Sequence, residues 1–153
     1  MTVLVRDLTI ADEPRWRELY GKYLEFYEAH KAQSSIDLVW QRLTSEPPQI
    51  QSYIAEFDGE VVGICHFHYQ VSTWSDTTQC YLEDLYVDEV ARGQGVAGAL
   101  IHGVKAQAAS NAATEMFWIT RQSNVRAQSL YSKVANKTDF IRYEVILTET
   151  SAQ

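Results

Sequence analysis

The stretch that most constrains this chain is a strand that runs into a glycine turn and straight on into a helix. Tyr81-Leu82-Glu83-Asp84-Leu85-Tyr86-Val87 alternates and favours a strand, Arg92-Gly93-Gln94-Gly95 breaks it, and Val96 to about Ser110 reads as a helix. Ala97, Ile101, Val104 and Ala108 share one face of that helix, and the small residues Ala97, Gly98 and Ala99 allow close approach to a sheet. Gly93 and Gly95 let the main chain come near a ligand, while the first N–H groups of the helix lack internal acceptors at the positive end of its dipole. Such a turn suits a pyrophosphate, with Arg92 adding a positive charge beside it. Glycines that merely relieve a tight turn are the plainer reading, and the turn alone does not choose between the two.

Other phosphate folds fit less well. Gly93, Gly95 and Gly98 do spell G-x-G-x-x-G, but Asp88 to Arg92 separate the first glycine from the strand, which itself carries Glu83 and Asp84. Glu115 follows at roughly the 20-residue spacing of the dinucleotide fingerprint, yet it begins the next strand and does not end it. No Lys-Ser or Lys-Thr pair closes the turn as a Walker loop requires.

The rest of the chain supplies a sheet for this unit. Val3 to Leu8 alternates as a first strand, and Thr9-Ile10-Ala11-Asp12 offers a capping box before a helix with Pro14 in its first turn. Trp16, Leu19, Tyr20, Tyr23, Phe26, Tyr27 and His30 recur along that helix at three- and four-residue spacing. A second short helix starts near Ser34-Ser35-Ile36-Asp37 and ends before Pro47-Pro48. Ile50–Phe57 and Glu60–Tyr69 read as strands joined by Asp58-Gly59, a strong hairpin signal, and Gln79–Val87 is a third long strand. Met116–Thr120 reads as a strand, Asn124–Val134 as a helix and Ile141–Thr148 as a final strand. The expected architecture is α/β, a mixed and mostly antiparallel sheet with helices on both faces, in one domain spanning residues 1–153.

Charge and composition narrow the function classes. A net charge of −7 repels phosphate backbones and argues against nucleic acid; it favours cationic ligands, although a surplus of carboxylates equally serves solubility. No signal peptide or long apolar run occurs, so a cytoplasmic protein without a membrane partner is expected. Cys65 and Cys80 form neither a disulfide framework nor a zinc spacing and read as small buried hydrophobes. His66 and His68 fall on one side of their strand, but two histidines rarely make a metal site, so no metal is expected.

On two motifs the chain resembles the GNAT superfamily of acyl-CoA-dependent N-acetyltransferases. Arg92, Gly95 and Ala97 match the signature of Gln or Arg, two residues, Gly, one residue, then Gly or Ala; Asn124-Val125-Arg126-Ala127-Gln128-Ser129-Leu130-Tyr131 is similar to the Asn-x-x-Ala-x-x-Leu-Tyr helix start. The resemblance covers nearly the whole chain and implies a splayed strand pair that binds acetyl-CoA. It implies that Leu85, Tyr86 and Val87 present main-chain groups to the pantetheine and acetyl oxygen, and that Arg92, Gly93, Gln94, Gly95, Val96 and Ala97 hold the pyrophosphate. Asn124 would contact the pantetheine arm, a role compatible with capping its helix, and Tyr131 would stand near the thioester sulfur instead of serving only as a core aromatic.

The strand Tyr81–Val87 is similar to that of diamine and polyamine acetyltransferases, where the matching glutamate is a base. The ending Lys137-Thr138-Asp139-Phe140-Ile141-Arg142-Tyr143 also looks like that of histone/polyamine-type members and departs from the commoner Gly-Phe ending. Amine acetylation needs a neutral amine, a stabilised oxyanion and a proton for the departing thiolate. Glu83 is the candidate base, or else a solvated strand residue; Val87 N–H is the oxyanion donor and Tyr131 the proton donor. Tyr23, Tyr27, Glu28, Trp40 and Asp84 are the candidate wall for a small cationic amine or a basic peptide, ordinary core or surface positions being the plainer reading for most of them. A non-catalytic acyl-CoA-binding module is the alternative, and a homodimer is a family-level expectation.

Overall fold

The computed structural model describes residues 2–148. Nine elements carry the fold: β1 (Val3–Asp7), α1 (Glu13–Phe26), α2 (Gln33–Thr44), β2 (Gln51–Phe57), β3 (Glu60–Gln70), β4 (Gln79–Val87), α3 (Val96–Ser110), β5 (Glu115–Phe117) and α4 (Val125–Val134). Strands lie in chain order in one five-stranded sheet, antiparallel from β1 to β4 and parallel between β4 and β5. Asp58 and Gly59 both take positive φ, 53° and 82°, the backbone that lets a two-residue turn follow the twist of β2 and β3.

Each face of the sheet has its own core. On one side Ala55, Cys65, Phe67, Cys80 and Leu82 pack under Val96, Leu100, Ile101, Val104 and Ala108 of α3. Ala97, expected among the facing residues, is only half-buried, so the buried stripe runs through Val96 and Leu100 instead. On the other side Ile54, Ile64 and Tyr86 meet Trp16, Leu19, Tyr20 and Leu24 of α1 and Trp40 and Leu43 of α2. Phe26 and His30, read as part of the α1 stripe, are exposed because the helix ends at Phe26 and the chain turns outward there. Cys65 and Cys80 are free and buried, as expected; burial pushes their thiols up to about 12 and about 11.

Two irregularities position the functional region. The register of β3 against β4 shifts between His66 and Phe67: His66 faces Asp84, Phe67 faces Leu82, and Glu83 is left unmatched as a bulge. Glu83 and Asp84 therefore both turn to the α1 side, while Leu82 and Leu85 stay in the α3 core. Pairing between β4 and β5 runs only from Gln79↔Glu115 to Tyr81↔Phe117. Beyond it the chain at 118–120 departs, so β5 is shorter than the expected Met116–Thr120 and a wedge opens beside Leu82–Val87.

The expected last strand, Ile141–Thr148, does not form. Residues 141–148 are exposed and belong to no strand; Phe140, Ile141, Tyr143, Val145, Ile146 and Leu147 all face solvent. The alternation that suggested a strand is real, since Arg142 and Glu144 meet on one side at 3.6 Å, but a strand needs a neighbour and none of the described residues pairs with this segment. No helix among the described residues is long and apolar enough to cross a membrane.

Candidate active site

The glycine turn and the start of α3 form the first half of the site. Gly93 and Gly95 both sit at φ +81°, a conformation that disfavours side chains, and a Cβ placed on either would meet no protein atom within 4 Å. Open space therefore lies where a ligand would lie. Gly95 caps α3, whose next main-chain N–H groups, from Val96 to Gly98, precede the first internal bond, Ala99 N–H to the Gly95 carbonyl at 3.0 Å. Arg92 turns back toward the sheet: its Nε–H donates to the Val87 carbonyl at 3.3 Å and its guanidinium lies 5.8 Å from the Tyr86 ring centre. It ties the turn to the end of β4, beside the open edge of Leu85, Tyr86 and Val87. This set fits a diphosphate followed by an amide-rich chain laid along the wedge.

The second half is a narrow cleft where β4 and β5 part, lined by Tyr23, Tyr27, Glu83, Trp118, Ile119 and Tyr131, with Leu82 and Leu85 at its floor. The two candidate catalytic residues thus share one cavity. Glu83 is accessible, with its Oε2 3.6 Å from His68 Nε2. Tyr131 rests edge-on against Trp118, ring centres 5.3 Å apart; burial, with a smaller effect of Tyr27, pushes its hydroxyl up to about 12, so it keeps its proton at neutral pH. Asn124 caps α4, its Oδ1 accepting from Ala127 N–H at 3.4 Å and its Nδ2 donating to Thr120 at 3.3 Å.

The candidate amine wall divides. Tyr23 and Tyr27 line the cleft, their rings tilted against each other with centres 5.0 Å apart, but Arg121 already lies over the Tyr27 ring at 5.2 Å. Trp40 does not reach the cleft: α2 buries it against Trp16, at 5.1 Å, in the core. Glu28 is also displaced, because the chain leaves α1 through a positive φ of 53° that turns it to solvent. Asp84 stands behind Tyr23, not in the cleft: the Tyr23 hydroxyl donates to Oδ1 at 2.5 Å, and Oδ2 lies 2.8 Å from His66 Nδ1. His66, weighed in the sequence only as a metal ligand, is buried and accepts from Trp16 Nε1–H at 2.9 Å. Its partnership with Asp84 depends on the bulge, which no periodicity rule predicts. Trp118 and Ile119 also escaped the sequence reading, since their place in the cleft comes from β5 ending early. A wider recess by Leu8, Ile10, Thr44 and Pro48 shares no residue with this cleft.

Residues 14–135 match the acetyltransferase (GNAT) family, four-fifths of the chain and all of the site just described. The chain is 30% identical over 145 residues to the D-amino-acid N-acetyltransferase HPA3 of Saccharomyces cerevisiae, covering 93% of this chain and 89% of that one. It is also 30% identical to the uncharacterized N-acetyltransferase YhfO of Bacillus subtilis, over 91% of this chain and 94% of the other. Among solved structures it is similar to a probable acetyltransferase, with a TM-score of 0.83, 28% identity and coverage of 97% and 99%. The fold is shared with the aminoglycoside N-acetyltransferase AAC(6')-Iy in complex with CoA, with a TM-score of 0.78, 19% identity and 96% coverage of each chain.

Proposed function

The chain belongs to the acetyltransferase (GNAT) family, and from that premise we propose that it acetylates a primary amine of a small cationic acceptor, or of a basic peptide, by direct transfer within the wedge between β4 and β5. It is an N-acetyltransferase, and acetyl-CoA, which supplies the activated thioester, is its acyl donor. One observation carries the proposal: Glu83 and Tyr131, an acceptor and a donor of protons, line the same cleft at the point where the open edge of β4 begins.

In this reading the main-chain N–H groups from Gly93 to Ala97 hold the diphosphate, with Arg92 fastening the turn. Leu85, Tyr86 and Val87 orient the chain that follows, and Asn124 keeps α4 in register beside it. Glu83, whose Oε2 lies 3.6 Å from His68 Nε2, removes the amine's proton directly or through a water. Val87 N–H aims at the oxygen on which negative charge grows, and Tyr131 returns a proton from its hydroxyl. The idle-module alternative leaves this pairing of Glu83 with Tyr131 without a purpose. A net charge of −7 assists capture of a cation.

We place the reaction in the cytoplasm, where the thiols of Cys65 and Cys80 stay reduced, and assign the working form to a homodimer. The exposed apolar segment from Phe140 to Leu147, which lies beyond the part of the chain matched to the family, supports a second copy as its cover. Sedimentation of the wild type against a chain ending at Asp139 tests this: a dimer that becomes a monomer is expected, and a monomeric wild type contradicts it.

Function is tested in two steps. CoA at about 100 times its dissociation constant adds about 2.7 kcal/mol to stability, a midpoint rise of several degrees, whereas NAD adds none. Thiol release is then followed with polyamines, aminoglycosides, basic peptides, and L- and D-amino acids, the last included because of the yeast relative's activity. Thiol release no faster than the blank with every amine sinks the proposal.

A further inference from the structure

Four side chains behind the cleft form an unbroken hydrogen-bond chain: Trp16 to His66 at 2.9 Å, His66 to Asp84 at 2.8 Å, and Tyr23 to Asp84 at 2.5 Å. Their chemistry fixes every proton. An indole nitrogen only donates, so His66 Nε2 accepts, and the imidazole proton sits on Nδ1 and points at Asp84. Asp84 then receives two donors, one on each oxygen. Burial opposes its ionisation, but the His66 and Tyr23 bonds outweigh it and hold the carboxyl below its usual range. Lys31 adds a weaker attraction at longer range, and among the described residues no Lys or Arg forms an ion pair with Asp84.

One partly buried carboxylate therefore stands behind Tyr23, each of its oxygens taken by a hydrogen bond. Because its single hydroxyl proton is committed to Asp84, the oxygen of Tyr23, a residue that lines the cleft, can offer a ligand only lone pairs. Burial and the Asp84 charge both push that hydroxyl's ionisation upward, so it remains a phenol. Tyr27 has its ring covered by Arg121, and the Glu83 carboxylate is a further acceptor in the same lining.

We propose that Tyr23 is the seat of the acceptor's ammonium and that Asp84, held by His66 and Trp16, is a positioning residue that fixes Tyr23 as a hydrogen-bond acceptor. This rests on the cleft being the amine site; it adds which atom receives the amine and why a cation is selected. A neutral donor such as an alcohol gains less from the same oxygen, since hydrogen bonds to charged groups are the stronger ones.

Asp84→Asn makes a particular prediction. A carboxamide has one acceptor oxygen, yet two donors face position 84. Its NH2 must turn to Tyr23, which then accepts from it and sends its own O–H into the cleft. The seat changes from acceptor to donor with no change of shape.

The experiment uses n-butylammonium and n-butanol as probes, titrated into the full chain in the presence of CoA and followed by NMR. Wild type is expected to prefer the ammonium by about tenfold or more. Tyr23→Phe, which keeps the aromatic stack, and Asp84→Asn are each expected to abolish most of that preference while CoA affinity stays within twofold. The 15N spectrum of His66 at neutral pH reports a protonated Nδ1 and a bare Nε2 whether or not Asp84→Asn folds. A wild type that binds both probes alike, a preference that survives Tyr23→Phe, or a proton on Nε2 overturns the proposal. Failure of CoA itself to bind would instead strike the acetyltransferase reading.

Discussion

The two faces of the sheet are built by different rules. Under α3 the contact is dry and close: a Cβ on Gly63 would lie 3.0 Å from Val96 Cγ1 and 3.2 Å from Leu100 Cδ1, and Leu100 and Val104 are fully buried. Under α1 an equally buried layer contains Trp16 and His66, and its hydrogen bonds lead outward through Asp84 to Tyr23 at the cleft. One face sets the spacing of the sheet and the start of α3; the other orients donors and acceptors. The bulge at Glu83 joins the two, because it brings two consecutive carboxylates to the polar side without disturbing the apolar one.

If that division holds, substitutions of residues that line the cleft change chemistry and those in the core under α3 change stability. The largest expected effect is Glu83→Gln, which lowers kcat/KM by about 10³-fold, typical for loss of a general base, and leaves the thermal midpoint within a degree or two. Steady-state thiol release with a melting curve checks both. Next is Leu100→Ala, with a loss of about 3 kcal/mol in urea unfolding and a kcat within twofold of wild type for the protein that remains folded. Tyr131→Phe follows, with a fall of about 10²-fold in kcat at unchanged acetyl-CoA affinity, read from single-turnover and binding measurements; an unchanged kcat removes Tyr131 from its role.

The smallest effect lies away from both faces, at Asp12. The hydrogen bonds from Arg6, at 2.9 Å, lower its carboxyl to about 2 against the penalty of burial, and Thr9 contributes further. A depressed carboxylate stabilises the fold fully above its unfolded value, near 3.8, and loses that stabilisation as pH falls through 2. Since Arg6 is about one-third exposed, the contribution is on the order of 1 kcal/mol. Asp12→Asn should flatten the acid limb of the stability curve between pH 4 and pH 2 and leave activity at neutral pH unchanged; a limb as steep as the wild type's assigns it to other carboxylates.

What the sequence made legible was local. Asp58-Gly59 announced its hairpin, Gly95 the start of α3, and the alternation from Gln79 to Val87 a strand whose ends the structure reproduces. Motif resemblance and helix periodicity singled out Glu83, Tyr131, Tyr23 and Tyr27 as candidates, and all four line one cleft. The losses came from strand register, helix crossing and one backbone angle. Register between β3 and β4 places His66 against Asp84, and one unmatched residue decides it. Trp40 and Glu28 share α1's neighbourhood in sequence, but the crossing of α2 and a single positive φ carry them elsewhere. Ile141–Thr148 has a strand's alternation without a pairing neighbour among the described residues, which no property of the segment itself reveals.

The most direct test compares CoA with pantetheine, which lacks the diphosphate and the 3′-phosphoadenosine, and with adenosine 3′-phosphate, which lacks the diphosphate and the arm, by titration calorimetry on the wild-type chain. If the main chain from Gly93 to Ala97 holds that diphosphate, CoA binds at least about 10²-fold more tightly than either, as several charge-assisted hydrogen bonds require. Equal affinities, or no heat with CoA, would contradict it.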